Sequence, residues 1–406
     1  MQVKSFRAWR PIGELVKEVS SVPYDVVDYD QATKLAANNK NSFLHVVRAD
    51  IDFPKDQNPY ADIVYDKAKS NLIRFIDEGI LIQDETPSMY LYSQKMNDHI
   101  QYGIVACCNI EDYESGIIKI HEKTRKLKEE DRIKYVDYQN ANTGPVFLAY
   151  RDSNEINQIV NTVKLTKPLY HFISDDNVEH TVWKLEDMDE LVNCFKNVPS
   201  AYVADGHHRS ASAVKVGSTR REQNSSHTGN EGYNYFLSVL FPESELKILA
   251  YNRIILSLTY PIDKFRSLLV KDFIIEANGI DKPKNPGEIC IYIEGNWSTL
   301  RLRTPIKNND PVSSLDVSIL QDYILGPILN IQDPRESREI DFVGGIKGTE
   351  ELEKLVNSGK AVMAFSMYPT SMQQLFKVAD AGMLMPPKST WFEPKLRSGL
   401  LINIFD

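Results

Sequence analysis

A carboxylate, two imidazoles and a guanidinium surround a single glycine in Asp205-Gly206-His207-His208-Arg209. The apolar run Ala201-Tyr202-Val203-Ala204 before it reads as a buried strand. Arg209-Ser210-Ala211-Ser212-Ala213-Val214 after it reads as the first turns of a helix with small residues packed on that strand. A glycine at such a junction turns the backbone sharply and leaves the first helical N–H groups uncovered. Those donors, with the positive end of the helix dipole, favour a phosphate or carboxylate. Arginine adds a bidentate fork and histidine a proton donor. Gly206, His208 and Arg209 are therefore expected to bind an anion, with Asp205 and His207 as acid–base groups. Metal ligation fits less well. Adjacent histidines point in different directions on a helix or a strand. Cys/His zinc spacing is absent, as are the Gly-Asp-x-x-Asp and Gly-Asn-His segments of metallophosphatases. No metal ligand is assigned.

Two further segments carry chemistry. His121-Glu122 follows the short apolar run Ile117 to Ile120, at a strand end, where α/β sheets commonly present catalytic groups. This pair is expected to supply a general acid or base. Pro386-Pro387-Lys388-Ser389-Thr390-Trp391-Phe392 gathers a cation, two hydroxyls and two aromatics in a proline-fixed loop. Lys388, Ser389 and Thr390 there suit phosphate oxygens. Gly344-Gly345-Ile346-Lys347-Gly348-Thr349 does not match a Walker loop, and no Gly-x-Gly-x-x-Gly or Gly-x-Ser-x-Gly occurs. If the candidates form one site, His121, Arg209 and Lys388 converge on a single cleft.

At 406 residues the chain exceeds one typical core. Three regions are expected: 1–150, an N-terminal α/β domain; 151–280, a central domain with the Asp205–Arg209 turn; and 281–406, a C-terminal α/β region whose tail returns to the site. The net charge of −9 argues against broad nucleic-acid binding. No apolar segment resembles a signal peptide or a membrane span. Cys107, Cys108, Cys194 and Cys290 form no Cys-x-x-Cys pair, which fits a reducing cytoplasm.

Patterning predicts an α/β or α+β protein with mixed sheets. Strands are expected at 42–47, 89–94, 101–109, 117–120, 145–150, 169–173, 182–185, 233–241, 246–255, 340–343 and 362–366. A hairpin turns around Gly295-Asn296. Helices are expected at 60–79, 122–135, 188–196, 349–359 and 371–381. The polar stretch 217–232 reads as a mobile loop or lid, and the proline-bearing tail from Met385 as largely irregular.

With Ala204-Asp205-Gly206-His207-His208-Arg209, the segments Pro23-Tyr24-Asp25-Val26, His121-Glu122-x-Thr124 and Pro387-Lys388-Ser389-Thr390 make the chain resemble the domain of unknown function 1015 family over nearly its whole length. The Asp-Gly-His-His-Arg turn is also similar to the phosphate-binding turn of the ParB/sulfiredoxin-like superfamily, which includes free serine kinases. That similarity implies a ParB/sulfiredoxin-like strand-turn-helix at the centre of the chain and maps Gly206, His208 and Arg209 onto phosphate-binding positions. His207 stands where sulfiredoxin has its reactive cysteine, so sulfinic-acid reduction is not expected. The implied activity is phosphoryl transfer to or from a small hydroxylated metabolite, with serine or phosphoserine as best guess and ATP or ADP with Mg²⁺ as cosubstrate. In it, Glu122 or Asp205 handles the hydroxyl and Arg209 offsets phosphoryl charge. A phosphatase using His121 or His207, and a nucleotide- or metabolite-sensing regulator, stay open. The partner is a phosphate-bearing small molecule rather than nucleic acid or membrane, and a homodimer is compatible with the sequence.

Overall fold

Continuous apolar runs become the buried strands of a nine-stranded mixed sheet, and the chain is a mixed α/β protein. The computed structural model describes residues 1–185, 188–306 and 310–405. It divides into two units, the first formed by 1–119, 124–246 and 394–406, the second by 120–123 and 247–393.

The sheet of the first unit contains β1 (Val3–Lys4), β2 (Tyr90–Met96), β3 (His99–Asn109), β4 (Ile118–Lys119), β5 (Val146–Tyr150), β6 (Tyr170–Ile173), β7 (Glu179–Lys184), β8 (Ala201–Asp205) and β9 (Tyr235–Pro242). Their order is β4-β8-β5-β9-β3-β2-β7-β6, with β1 also paired to β3. β4 with β8 and β5 with β9 run parallel, and the other pairs are antiparallel. β5, Val-Phe-Leu-Ala-Tyr, is buried at every residue, because a strand covered on both faces needs no polar alternation. Three helices matter for the site: α1 (Asp62–Asp77), α2 (Lys126–Gln139) and α3 (His207–Gln223). α2 packs on both α1 and α3. Tyr65 of α1 meets Tyr135 of α2 edge to face, with centroids 5.1 Å apart.

The second unit is built on an antiparallel sheet of β10 (Tyr251–Ile255), β11 (Phe273–Ala277), β12 (Glu288–Ile293), β13 (Asn296–Leu302), β14 (Ile340–Gly344) and β15 (Met363–Met367). Its order is β11-β13-β12-β15-β10-β14. The β12–β13 hairpin turns through Glu294 at φ 48° and Gly295 at φ 80°, the paired positive values a two-residue hairpin favours. Among the described residues no helix is long and apolar enough to cross a membrane.

Two sequence expectations need correction. The run 42–47 is not a strand: Leu44–Val47 is a helical turn, with Phe43, Leu44, Val46 and Val47 buried in one apolar cluster. A short apolar run with no alternation fits either element, and burial alone fixed this one. Nor is 217–232 all loop, since α3 continues to Gln223. The glycine there serves packing, because a Cβ at Gly217 would collide with the Tyr233 carbonyl oxygen and lie 2.8 Å from Ile110 Cδ1. The remaining loop is tied down by Glu231, which accepts from the Thr228 and Gly229 N–H groups at 2.7 and 2.9 Å. Gly217→Ala is therefore expected to destabilise the protein by about 2 kcal/mol through overpacking, measured by urea unfolding. Helix propensity alone predicts stabilisation by about 1 kcal/mol, and that result would refute the packing explanation.

Candidate functional site

β8 leads into α3 through one residue, Gly206, at φ 93° and ψ 32°. The ladder between β8 and β5 shifts register between Val203 and Asp205, a bulge after which Asp205 pairs with Phe147 as the last residue before the turn. α3 then opens at His207 with no side-chain cap. Three residues on, Arg209 folds back across the turn. A Cβ at residue 206 would lie 2.9 Å from Arg209 Nε and 3.1 Å from Cζ. Gly206 is thus required twice, for its left-handed backbone and for the guanidinium lying over it.

Arg209 Nη1 donates to the Pro145 carbonyl, and Nη2 donates to Asp205 Oδ2 at 3.4 Å. Its Nε–H is buried and has no partner among the described residues, while the side chain is only 10 % exposed. A buried donor left without an acceptor costs about 1–3 kcal/mol. Asp205 Oδ2 lies 3.7 Å from Lys395 Nζ, so one carboxylate stands between two cations. Lys395 comes from the tail and is held by its own carbonyl, which accepts from Gln94 Nε2 at 2.8 Å. His208 Nε2 accepts the Arg125 backbone N–H at 3.0 Å, so this nitrogen carries no proton in that arrangement. His207 is buried at the helix start, and its carbonyl accepts from Ser210 Oγ at 3.1 Å.

Arg209 also lines a cavity of about 40 Å³ with Tyr24, Arg132, Tyr135, Asn142 and Thr143. That volume admits a few waters or a small polar group. Its wall is rigid. The Arg132 guanidinium lies 3.9 Å from the ring centroids of both Tyr24 and Tyr135. It is bound through Nε and Nη2 to Asp131 at 2.9 and 2.6 Å. Burial opposes the Arg132 charge, but Asp131 and the tyrosines outweigh it and the pKa rises. Arg48 Nη1 fixes the Tyr24 segment by donating to the Tyr24 and Val27 carbonyls at 3.1 and 2.6 Å. Burial, with Asp25 nearby, pushes the Tyr24 phenol well above its usual range, so it stays neutral.

His121, Glu122, Lys388, Ser389 and Thr390 belong to the second unit, and Asp205 to Arg209 to the first. His121 is 1 % exposed, with Nε2 3.2 Å from Thr390 Oγ1. Its carbonyl accepts the Met385 N–H at 2.8 Å. Within the second unit, His121 thus lies in hydrogen-bond contact with the loop that carries Lys388, Ser389 and Thr390. Ser389 Oγ donates to the Pro386 carbonyl at 2.6 Å, within its own turn. Lys388 sits at φ 59°, its Nζ 5.5 Å from the Tyr251 centroid, and Arg253 Nη2 donates to its carbonyl at 3.0 Å. Burial lowers the Arg253 pKa to about 10, although Tyr251 opposes the shift. Glu122 contributes to the raised pKa of Tyr251, after burial, which is the main cause.

Sequence reasoning did not single out Lys395, Arg132 or Arg253 as site residues. Tyr24 was noticed only as part of a family-like segment. Pro394-Lys395 lies in the tail, and its meeting with Asp205 depends on a fold that local patterning does not encode. Among the described residues, no three of His, Cys, Asp and Glu cluster as metal ligands.

Residues 3–318 match the family described as "Protein of unknown function (DUF1015)". No curated protein matches the chain. Similar solved structures include a conserved hypothetical protein from Pyrococcus furiosus, 14 % identical over 73 % of this chain and 95 % of that one, with a TM-score of 0.37. A free serine kinase in complex with AMP is 13 % identical over 73 % and 92 %, with a TM-score of 0.39. SbnI from Staphylococcus aureus, truncated at its C-terminus, is 10 % identical over 74 % and 87 %, with a TM-score of 0.41. Likeness at this level says nothing of activity.

The double demand on residue 206 has a measurable consequence. Gly206→Ala should lower stability by about 2 kcal/mol in chemical denaturation, from backbone strain and displacement of Arg209. Native stability in this variant would show that the guanidinium does not rest on the glycine.

Proposed function

The chain belongs to the DUF1015 family, and we propose that its Asp205–Arg209 turn holds the phosphate of a small hydroxylated metabolite during phosphoryl transfer. One observation carries this reading: the buried Arg209 Nε–H, without a partner among the described residues, lies over an uncapped helix start. An oxyanion there completes the hydrogen bonding of the guanidinium and meets the positive end of the α3 dipole. Of the five guanidinium N–H donors, one is given to Pro145 and one to Asp205, which leaves enough for a phosphate. The similarity of this strand-turn-helix to the ParB/sulfiredoxin-like phosphate turn supports the same assignment.

The residues then divide the work. Gly206 keeps the approach open, His208 and Arg209 bind phosphate oxygens, and Arg209 offsets the charge that spreads over the phosphoryl group in the transition state. Asp205 orients the hydroxyl or accepts its proton, and His207 serves as acid or base at the helix start. In the second unit, His121 with Thr390, and Glu122 with Lys388 and Ser389, form a further group of polar candidates for substrate handling. Serine or phosphoserine is the proposed substrate, and ATP or ADP the cosubstrate. A nucleotide brings the transferable phosphoryl group, and Mg²⁺ would be held mainly by its phosphates and by water.

Arg209→Ala should weaken O-phosphoserine or AMP binding about 100-fold in calorimetry, while circular dichroism remains native. Undiminished binding would remove the assignment. Following phosphoserine by ³¹P NMR with and without ADP gives the reaction class. Phosphoryl transfer requires nucleotide, free phosphate without it identifies a phosphatase, and tight binding without turnover identifies a sensor.

A further inference from the structure

Resting on that reading, we infer that Lys395 is the second cation of the phosphate site and that Asp205 is its resident counter-anion, which together select a phosphomonoester dianion. Asp205 Oδ2 lies 3.4 Å from Arg209 Nη2 and 3.7 Å from Lys395 Nζ. Arg209, Lys395 and Asp205 are 10 %, 15 % and 25 % exposed at their side chains, so water screens this triad poorly. Two cations thus flank one carboxylate beside an uncapped helix start. An arriving dianion shares both cations with Asp205, whereas a monoanion gains less from each.

The position of Lys395 is engineered by buried amides rather than by chance contact. Gln94 and Gln101 have no exposed surface, and Gln101 Nε2 donates to Gln94 Oε1 at 3.0 Å. Gln94 Nε2 in turn holds the Lys395 carbonyl at 2.8 Å. Two residues further, Arg397 pins the tail by donating to Ser174 Oγ at 3.1 Å and His180 Nε2 at 3.3 Å, and by pairing with Asp176. Burial first, then Arg397, lowers the His180 pKa to about 3, so this anchor stays neutral on the histidine side at ordinary pH. The tail is thus fastened at the Lys395 carbonyl and again at Arg397, which fixes the backbone from which the ammonium reaches Asp205.

The test uses the full chain at pH 8 and two probes of one shape, methyl phosphate, a dianion there, and methyl sulfate, a monoanion. Binding is read by ligand-observed NMR. The native protein should prefer methyl phosphate by at least about tenfold. Lys395→Met should abolish the preference, Lys395→Arg should retain it, and Asp205→Asn should tighten methyl phosphate binding by about tenfold. Asp205→Asn is isosteric and Lys395→Arg keeps the charge, so these two report on the site even if Lys395→Met folds poorly. Native binding of methyl phosphate without preference overturns the inference and leaves the phosphate reading standing. So does a preference that survives in Lys395→Met, or weaker binding in Asp205→Asn. Failure of the native protein to bind either probe overturns both.

Discussion

One guanidinium laid across one glycine organises this molecule's candidate chemistry. Arg209 reaches back over Gly206 because residue 206 has no side chain, and Gly206 can stand there because its backbone is left-handed. The arrangement buries a cation with one N–H that finds no partner among the described residues, a state that costs free energy. Under the proposed function, an anion at this helix start offsets that cost.

The surroundings of that arginine come from remote parts of the chain. The Tyr24 segment is clamped by Arg48, and its ring is stacked on the Asp131-bound Arg132. The tail contributes Lys395, positioned by buried glutamines and by the Arg397 anchor. These partners hold their groups through carbonyls, rings and carboxylates, so little rotamer freedom is left to lose on ligand binding. Asp205 offsets the charges of Arg209 and Lys395, at 3.4 and 3.7 Å, within this poorly screened corner.

Much of this was legible in the sequence, for reasons that vary by element. The β8–α3 turn was readable because Asp-Gly-His-His-Arg combines a backbone signal with a chemical one. The hairpin at Gly295 and the helix ending at Gly79 followed from glycines at positions that need positive φ. His121 and Thr390 were singled out separately, by strand-end logic and by residue type, and their contact at 3.2 Å was not read from either segment. The run 42–47 failed because uninterrupted apolar residues carry no period, and 217–232 because polar residues and a glycine imitate a loop when they line a helix packed at Tyr233. Lys395 was invisible, since no local pattern records which distant carboxylate a lysine will meet.

The most direct measurement is a crystal structure of the full chain grown with phosphate, with tungstate as the heavy-atom check. The account predicts an oxyanion within hydrogen-bond reach of Arg209 Nε and the main-chain N–H groups at the start of α3. Well-ordered density at that turn with no anion, at concentrations where calorimetry shows binding, would contradict it.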